Sequence, residues 1–141
     1  MRFSIIIIAI LKKYVIHTHS VYANILTCSI EGEAIADKIF NGKDFDFIFL
    51  PYINPGFELT LAMKKAIDEH VFAVGKYPEV IFMKNHGLVV TCDDINRVKQ
   101  INEDVNESII KYFDIKNTFT SVKLGKTDLC ITIRMKNRRR R

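Results

Sequence analysis

At 141 residues the chain has the size of one domain and can bury an ordinary core; with 48% apolar and 26% charged residues its composition is globular, which excludes a disordered class. The net charge is +5, yet five basic residues (Lys136 and Arg138 to Arg141) fall in the last six positions; removing those five leaves a neutral body, so the basic character belongs to a tail and not to a nucleic-acid-binding face. The three cysteines, Cys28, Cys92 and Cys130, are odd in number and show no C-x-x-C spacing, which fits free thiols in a reducing cytoplasm rather than a disulfide framework.

In chain order, Phe3 to Leu11 is an apolar stretch behind Arg2 that superficially resembles a secretion signal. No small-x-small cleavage site follows it, Lys12-Lys13 comes directly after, and it falls well short of the roughly 20 apolar residues that span a bilayer. The four isoleucines Ile5 to Ile8 suggest a buried strand or a helix remnant. Tyr14 to His19 alternates as a strand, and Val21 to Cys28 reads as an apolar helix. Glu33 to Phe40 has helical spacing and stops at Asn41-Gly42. Asp44 to Leu50 alternates again, with Phe45, Phe47 and Phe49 on one face. Pro51 to Gly56 is turn chemistry, followed by an amphipathic helix over Glu58 to Val74. Val80 to Met83 is a short strand, broken by Lys84-Asn85-His86-Gly87 and resumed over Leu88 to Thr91. Asp93 or Asp94 caps a long helix reaching about Phe113, and Val122 to Leu124 and Leu129 to Ile133 read as strands. Alternating helices and strands without a repeat place the chain in the α/β or α+β class.

The chemistry lies in the histidines. Residues i and i+2 of a strand share a face, so His17 and His19 can present imidazoles side by side. On a helix the same spacing would splay them by roughly 200 degrees. H-x-H alone is weak evidence, but His86, with Gly87 after it to let the backbone turn sharply, supplies a third imidazole. Three histidines leave a fourth position open on a divalent ion, the pattern of a catalytic rather than a structural zinc site. His70, near the end of a helix, is accounted for by the helix dipole or by solvent.

These residues carry a resemblance. His17-Thr-His19-Ser-Val-Tyr-Ala, Leu50-Pro51-Tyr52 through Pro55-Gly56 with Glu58-Leu59, and Lys84-Asn85-His86-Gly87-Leu88-Val89-Val90 resemble the class II aldolase/adducin family over about residues 12–113. The family includes fuculose-phosphate and rhamnulose-phosphate aldolases, a ribulose-phosphate 4-epimerase and the adducin head domain. The chain reads as one domain over 1–133 with a basic tail at 134–141 that is unlike the family. The resemblance implies a three-layer α/β/α sandwich around a mainly antiparallel sheet. It implies one zinc ion per chain on His17, His19 and His86, and a cytoplasmic homo-oligomer, a tetramer in the family. It further implies a phosphorylated sugar as substrate, with neither a specific nucleic acid nor a membrane as partner. The implied reaction is that of a lyase in carbohydrate metabolism: retro-aldol cleavage of a ketose phosphate to dihydroxyacetone phosphate and an aldehyde, with the ion stabilising the enediolate oxygens.

Family members also place a proton-moving carboxylate and a phosphate cradle upstream of the H-x-H strand. Here sixteen residues precede His17 and contain no Asp, Glu or Gly, with Ile5 to Ile8 where the acid is expected. The sequence therefore reads as a family member lacking its amino-terminal portion. Glu31, Glu33 and Glu58 read as solvated, dipole-compensating carboxylates, and no catalytic or substrate-binding residue is assigned. Poor catalysis, and less complete cover over Val15, Ile16 and the Phe45, Phe47, Phe49 row, are the expectations. The alternatives are a non-catalytic adducin-like or decayed member and a pentulose-phosphate epimerase relative.

Overall fold

The computed structural model describes residues 10–116. The expected strands at Val122 to Leu124 and Leu129 to Ile133, the Ile5 to Ile8 element and the basic tail lie outside the described residues.

Four strands, β1 (Tyr14–Thr18), β2 (Phe47–Leu50), β3 (Val80–Met83) and β4 (Gly87–Cys92), form one sheet in the order β1-β4-β3-β2. The helices are α1 (Val21–Thr27), α2 (Gly32–Phe40), α3 (Phe57–Val74) and α4 (Ile95–Tyr112). β1 with β4 and β4 with β3 pair antiparallel, and β2 with β3 pairs parallel. A parallel pair needs a crossover, and α3 supplies it. Every residue of β3 and β4 is buried, as their continuous apolar runs require of strands covered on both faces.

The pleat divides the side chains between two cores. Phe82, Val80, Leu88, Val90 and Ile16 meet α1, α2 and α4 through Leu26, Phe40, Ile101 and Val105. Ile81, Met83, Val89 and Leu50 meet α3 through Leu59, Met63 and Ile67. The result is a helix layer, a mainly antiparallel sheet and a second helix layer. Phe82 stacks between Phe40 and Phe49 with ring centroids at 5.5 and 5.8 Å. Fully burying a side chain of this size contributes about 1.5–3 kcal/mol relative to leaving it exposed.

Local chemistry sets the joints. Ser20 caps α1 by accepting from the Ala23 amide at 3.0 Å, and its hydroxyl donates to Asn106 Oδ1 of α4 at 2.8 Å. Of the two candidate caps for α4, Asp94 takes the role, accepting from the Asn96 and Arg97 amides. Gly32 lets α2 leave α1 tightly, since a Cβ there would lie 1.9 Å from the Leu26 carbonyl oxygen.

Two expectations need correction. The strand predicted from Asp44 begins at Phe47; Phe45 precedes it in the loop, though all three phenylalanines face the same core. The less complete cover expected around Val15, Ile16 and the phenylalanine row holds only in part: Val15, Phe47 and Phe49 are half-buried, whereas Ile16 and Phe45 are buried. α2 and α4 cover Ile16 and the phenylalanines through Phe40, Ile101 and Val105, while Val15 packs on the α3 side. Exposed apolar side chains stand elsewhere, chiefly Ile30 and Phe72, each 94% exposed. No helix among the described residues is long and apolar enough to cross a membrane.

Candidate metal centre

His17 lies in β1 beside Val15, on the face turned towards the α3 layer, with Val89 as its partner on β4. His19 follows at the strand's end. His86 belongs to the β3–β4 turn, where the His86 amide donates to the Met83 carbonyl at 3.0 Å. Two bonds hold this turn against its neighbours: the Lys84 amide donates to Leu50, and the Asn85 amide donates to Thr27 at the end of α1 at 2.8 Å. The sharp backbone turn expected at Gly87, whose φ is 156°, is shared with Asn85, whose φ is 54°. Asparagine tolerates this left-handed region because its short side chain bonds locally.

The three rings converge edge to face, with centroids 4.8 Å apart for His17–His19, 5.3 Å for His17–His86 and 5.1 Å for His19–His86. One ligand atom from each lies within 4.8 Å of the others, so the cluster could hold a metal ion. No carboxylate or thiol of the described residues joins it. His70, the fourth histidine, lies apart near the end of α3, half-buried, with an Nε2 that is shielded and makes no hydrogen bond. An open cleft of about 460 Å³, lined by His70, Glu69, Glu33, Asp37, Phe47 and Phe49 among others, contains none of the three converging histidines.

Hydrogen bonding orients the rings. The Leu88 carbonyl can only accept, so His17 Nδ1 donates to it at 2.9 Å and Nε2 keeps its lone pair. His19 Nε2 then donates to His17 Nε2 across 3.0 Å. A second ring nitrogen tied to a backbone carbonyl is the usual support of a ligating histidine. Burial, opposed in part by the Leu88 bond, lowers the His17 pKa to about 4, and the neighbouring His19 and His86 add to the drop. Burial and His19 likewise lower that of His86. Both rings are therefore neutral near pH 7, the form that binds a metal. The donor set, three imidazoles with one tautomer fixed, fits a borderline-soft divalent ion.

The remaining candidates do not join this site. Glu31, Glu33 and Glu58 are exposed, as expected of solvated carboxylates, with Glu33 and Glu58 in the first turns of α2 and α3. The Leu88 carbonyl was invisible to sequence reasoning, since any residue supplies one. The close passage of β1 over Gly87 was visible only as a glycine beside a histidine.

Residues 11–110 match the family model described as the class II aldolase and adducin N-terminal domain. The chain is 31% identical over 105 residues to the uncharacterized oxidoreductase YuxG of Bacillus subtilis (strain 168), in a match covering 69% of this chain and 14% of that protein. Its fold is similar to that of the N-terminal class II aldolase domain of a conserved protein from Thermoplasma acidophilum, with a TM-score of 0.59 and 22% identity over 77% of this chain and 46% of that one. The chain thus spans less than half the length of either relative. With the family model matched over most of its length, the chain belongs to the class II aldolase and adducin N-terminal domain family.

Proposed function

We propose that the chain binds one zinc ion through His17, His19 and His86 and is a zinc-dependent, sugar-phosphate aldolase-like domain. The observation that carries this reading is the convergence of three ligand atoms within 4.8 Å. Zinc bound there would supply Lewis acidity towards the carbonyl and hydroxyl oxygens of a ketose phosphate, as carbon–carbon cleavage requires. His17, its Nδ1 held by Leu88, offers a fixed Nε2 lone pair; the half-buried His86 sits on a turn pinned to α1; the more exposed His19 borders solvent. Family membership supports the aldolase or epimerase class without selecting the sugar.

Proton transfer is the step these residues do not supply, because no carboxylate among the described residues stands at the cluster. Loss of a general acid or base typically lowers rate by about 10²–10⁴-fold. This favours a second reading, an adducin-like, non-catalytic member that retains the metal site. Metal analysis and a retro-aldol assay on the same preparation separate the two. The expected result is about one zinc per chain with little cleavage of fuculose 1-phosphate or rhamnulose 1-phosphate. Robust turnover would show that a proton-moving group had been overlooked, and a metal-free protein that takes up no added zinc would end both readings. We also propose self-association, supported by the exposed Ile30, Phe57, Leu61 and Phe72. Light scattering that shows only a 16.3 kDa species at micromolar concentration would refute it.

A further inference from the structure

His17 is held by the Leu88 carbonyl, and His86 by a turn tied to Thr27 and Met83. His19 has no such anchor: it lies beyond the end of β1, is exposed, and its ring contacts are with the other two imidazoles. The β1–β4 register pairs Thr18 with Leu88, so one further step sets His19 opposite Gly87. A Cβ built on Gly87 would lie 2.6 Å from the Thr18 carbonyl oxygen, 2.8 Å from His19 Cδ2 and 3.5 Å from His19 Cα. The His19 imidazole therefore occupies the space that any side chain at position 87 would need. The backbone there, with φ at 156°, is one that L side chains rarely adopt.

We propose that Gly87 is the positioning residue for His19: its missing side chain makes room for the imidazole and lets the end of β1 pass close enough for that ring to meet His17 and His86. An alanine methyl has three ways out, each of which moves His19. It can push the Thr18 carbonyl away, rotate the imidazole off the cluster, or open the last rung between β1 and β4. His17, one rung further in and bonded to Leu88, stays in place. The neighbour on one side is the Thr18 backbone, which does not yield cheaply, so relief falls on the unanchored His19 ring.

The test rests on the metal-binding reading but is arranged to outlive it. Cobalt(II) titration with optical detection is run on the wild type, Gly87→Ala, His19→Ala and the double variant. Gly87→Ala is expected to weaken cobalt affinity by about 10–100-fold, the size of effect seen when the support of a ligand is removed. In the His19→Ala background the same change should cost nothing beyond about twofold, the margin within which independent effects are reproduced. Unchanged affinity in Gly87→Ala overturns the proposal, and so does an equal loss in both backgrounds, which would make Gly87 a structural residue acting through no particular ligand. Should Gly87→Ala fail to fold, recovery of folded protein in the double variant supports the collision with the ring, and failure there too assigns Gly87 to backbone conformation alone and overturns it. If the wild type takes no cobalt, the functional reading falls, and imidazole nitrogen NMR of the metal-free proteins still decides. Loss of the His19-to-His17 ring hydrogen bond in Gly87→Ala supports the proposal, and its persistence refutes it.

Discussion

The two ends of the sheet treat polar groups in opposite ways. Where β3 begins and β4 ends, charges are matched to one another. The Arg97 guanidinium of α4 donates to both Glu79 carboxylate oxygens at 2.7 Å, and to the Asp44 carboxylate and carbonyl at 3.0 and 2.9 Å. Those carboxylates, Glu79 first, hold Arg97 above its ordinary pKa. Lys12 meets Asp93 nearby at 3.2 Å. At the other end, where β3 turns into β4, three imidazoles face one another with no carboxylate among them. Groups that satisfy each other hold elements together, here α4, the start of β3 and the entry to β2. Like groups aimed at one point gain little from each other, and burial penalises charging them, so their placement makes sense as a binding arrangement.

If that contrast is correct, the largest single effect lies at the histidine end. His17→Ala or His19→Ala should weaken zinc binding by more than the ~10–100-fold that loss of a ligand's support costs, while leaving a residual affinity that titration can read. Equilibrium dialysis with metal analysis reads this directly, and retention of zinc at wild-type stoichiometry would remove the functional meaning of the cluster.

Next comes the pH dependence of the metal-free fold. The pKa of His17, ordinarily 6.5, is lowered to about 4, first by burial and then by its two histidine neighbours. The unfolded chain therefore binds the proton more readily than the folded one. This contribution to stability is fully present above pH 6.5 and is lost as pH falls towards 4. Urea unfolding should show a loss on the order of 2–3 kcal/mol across that window, and His17→Gln should flatten the slope. An equally steep slope in His17→Gln would place the acid sensitivity elsewhere.

The opposite end should answer to charge pairing and not to metal. Arg97→Leu leaves Glu79, only 19% exposed, without its partner. The expected cost is about 1–3 kcal/mol, below that of a fully buried pair because a third of the Arg97 side chain is in water. Zinc affinity should stay at the wild-type value. A matching loss of zinc affinity would show that the two ends of the sheet are coupled. The smallest effect is at the α1 cap: Ser20→Ala removes the bond to the Ala23 amide and the link to Asn106, and thermal melting should report about 1 kcal/mol.

Much of this molecule is legible one residue at a time, and the reasons are local. β3 and β4 are continuous apolar runs bounded by turn residues, so their existence and burial follow from hydropathy alone. α3 and α4 follow from spacing, and the cap at Asp94 from side-chain chemistry; the period of two in β1 puts His17 and His19 on one face. Only the tertiary structure decided that β1 joins β4 and not β2, because an apolar strand pairs equally well with either and the choice rests on which helices cover the sheet. That register is what carries His17 and His19 to a turn almost seventy residues further along the chain, puts a particular carbonyl, Leu88, behind His17, and sets Gly87 beneath His19. Backbone carbonyls and empty space have no letter in a sequence. Three histidines could be counted from the beginning, but the groups that aim them exist only once the strands are side by side.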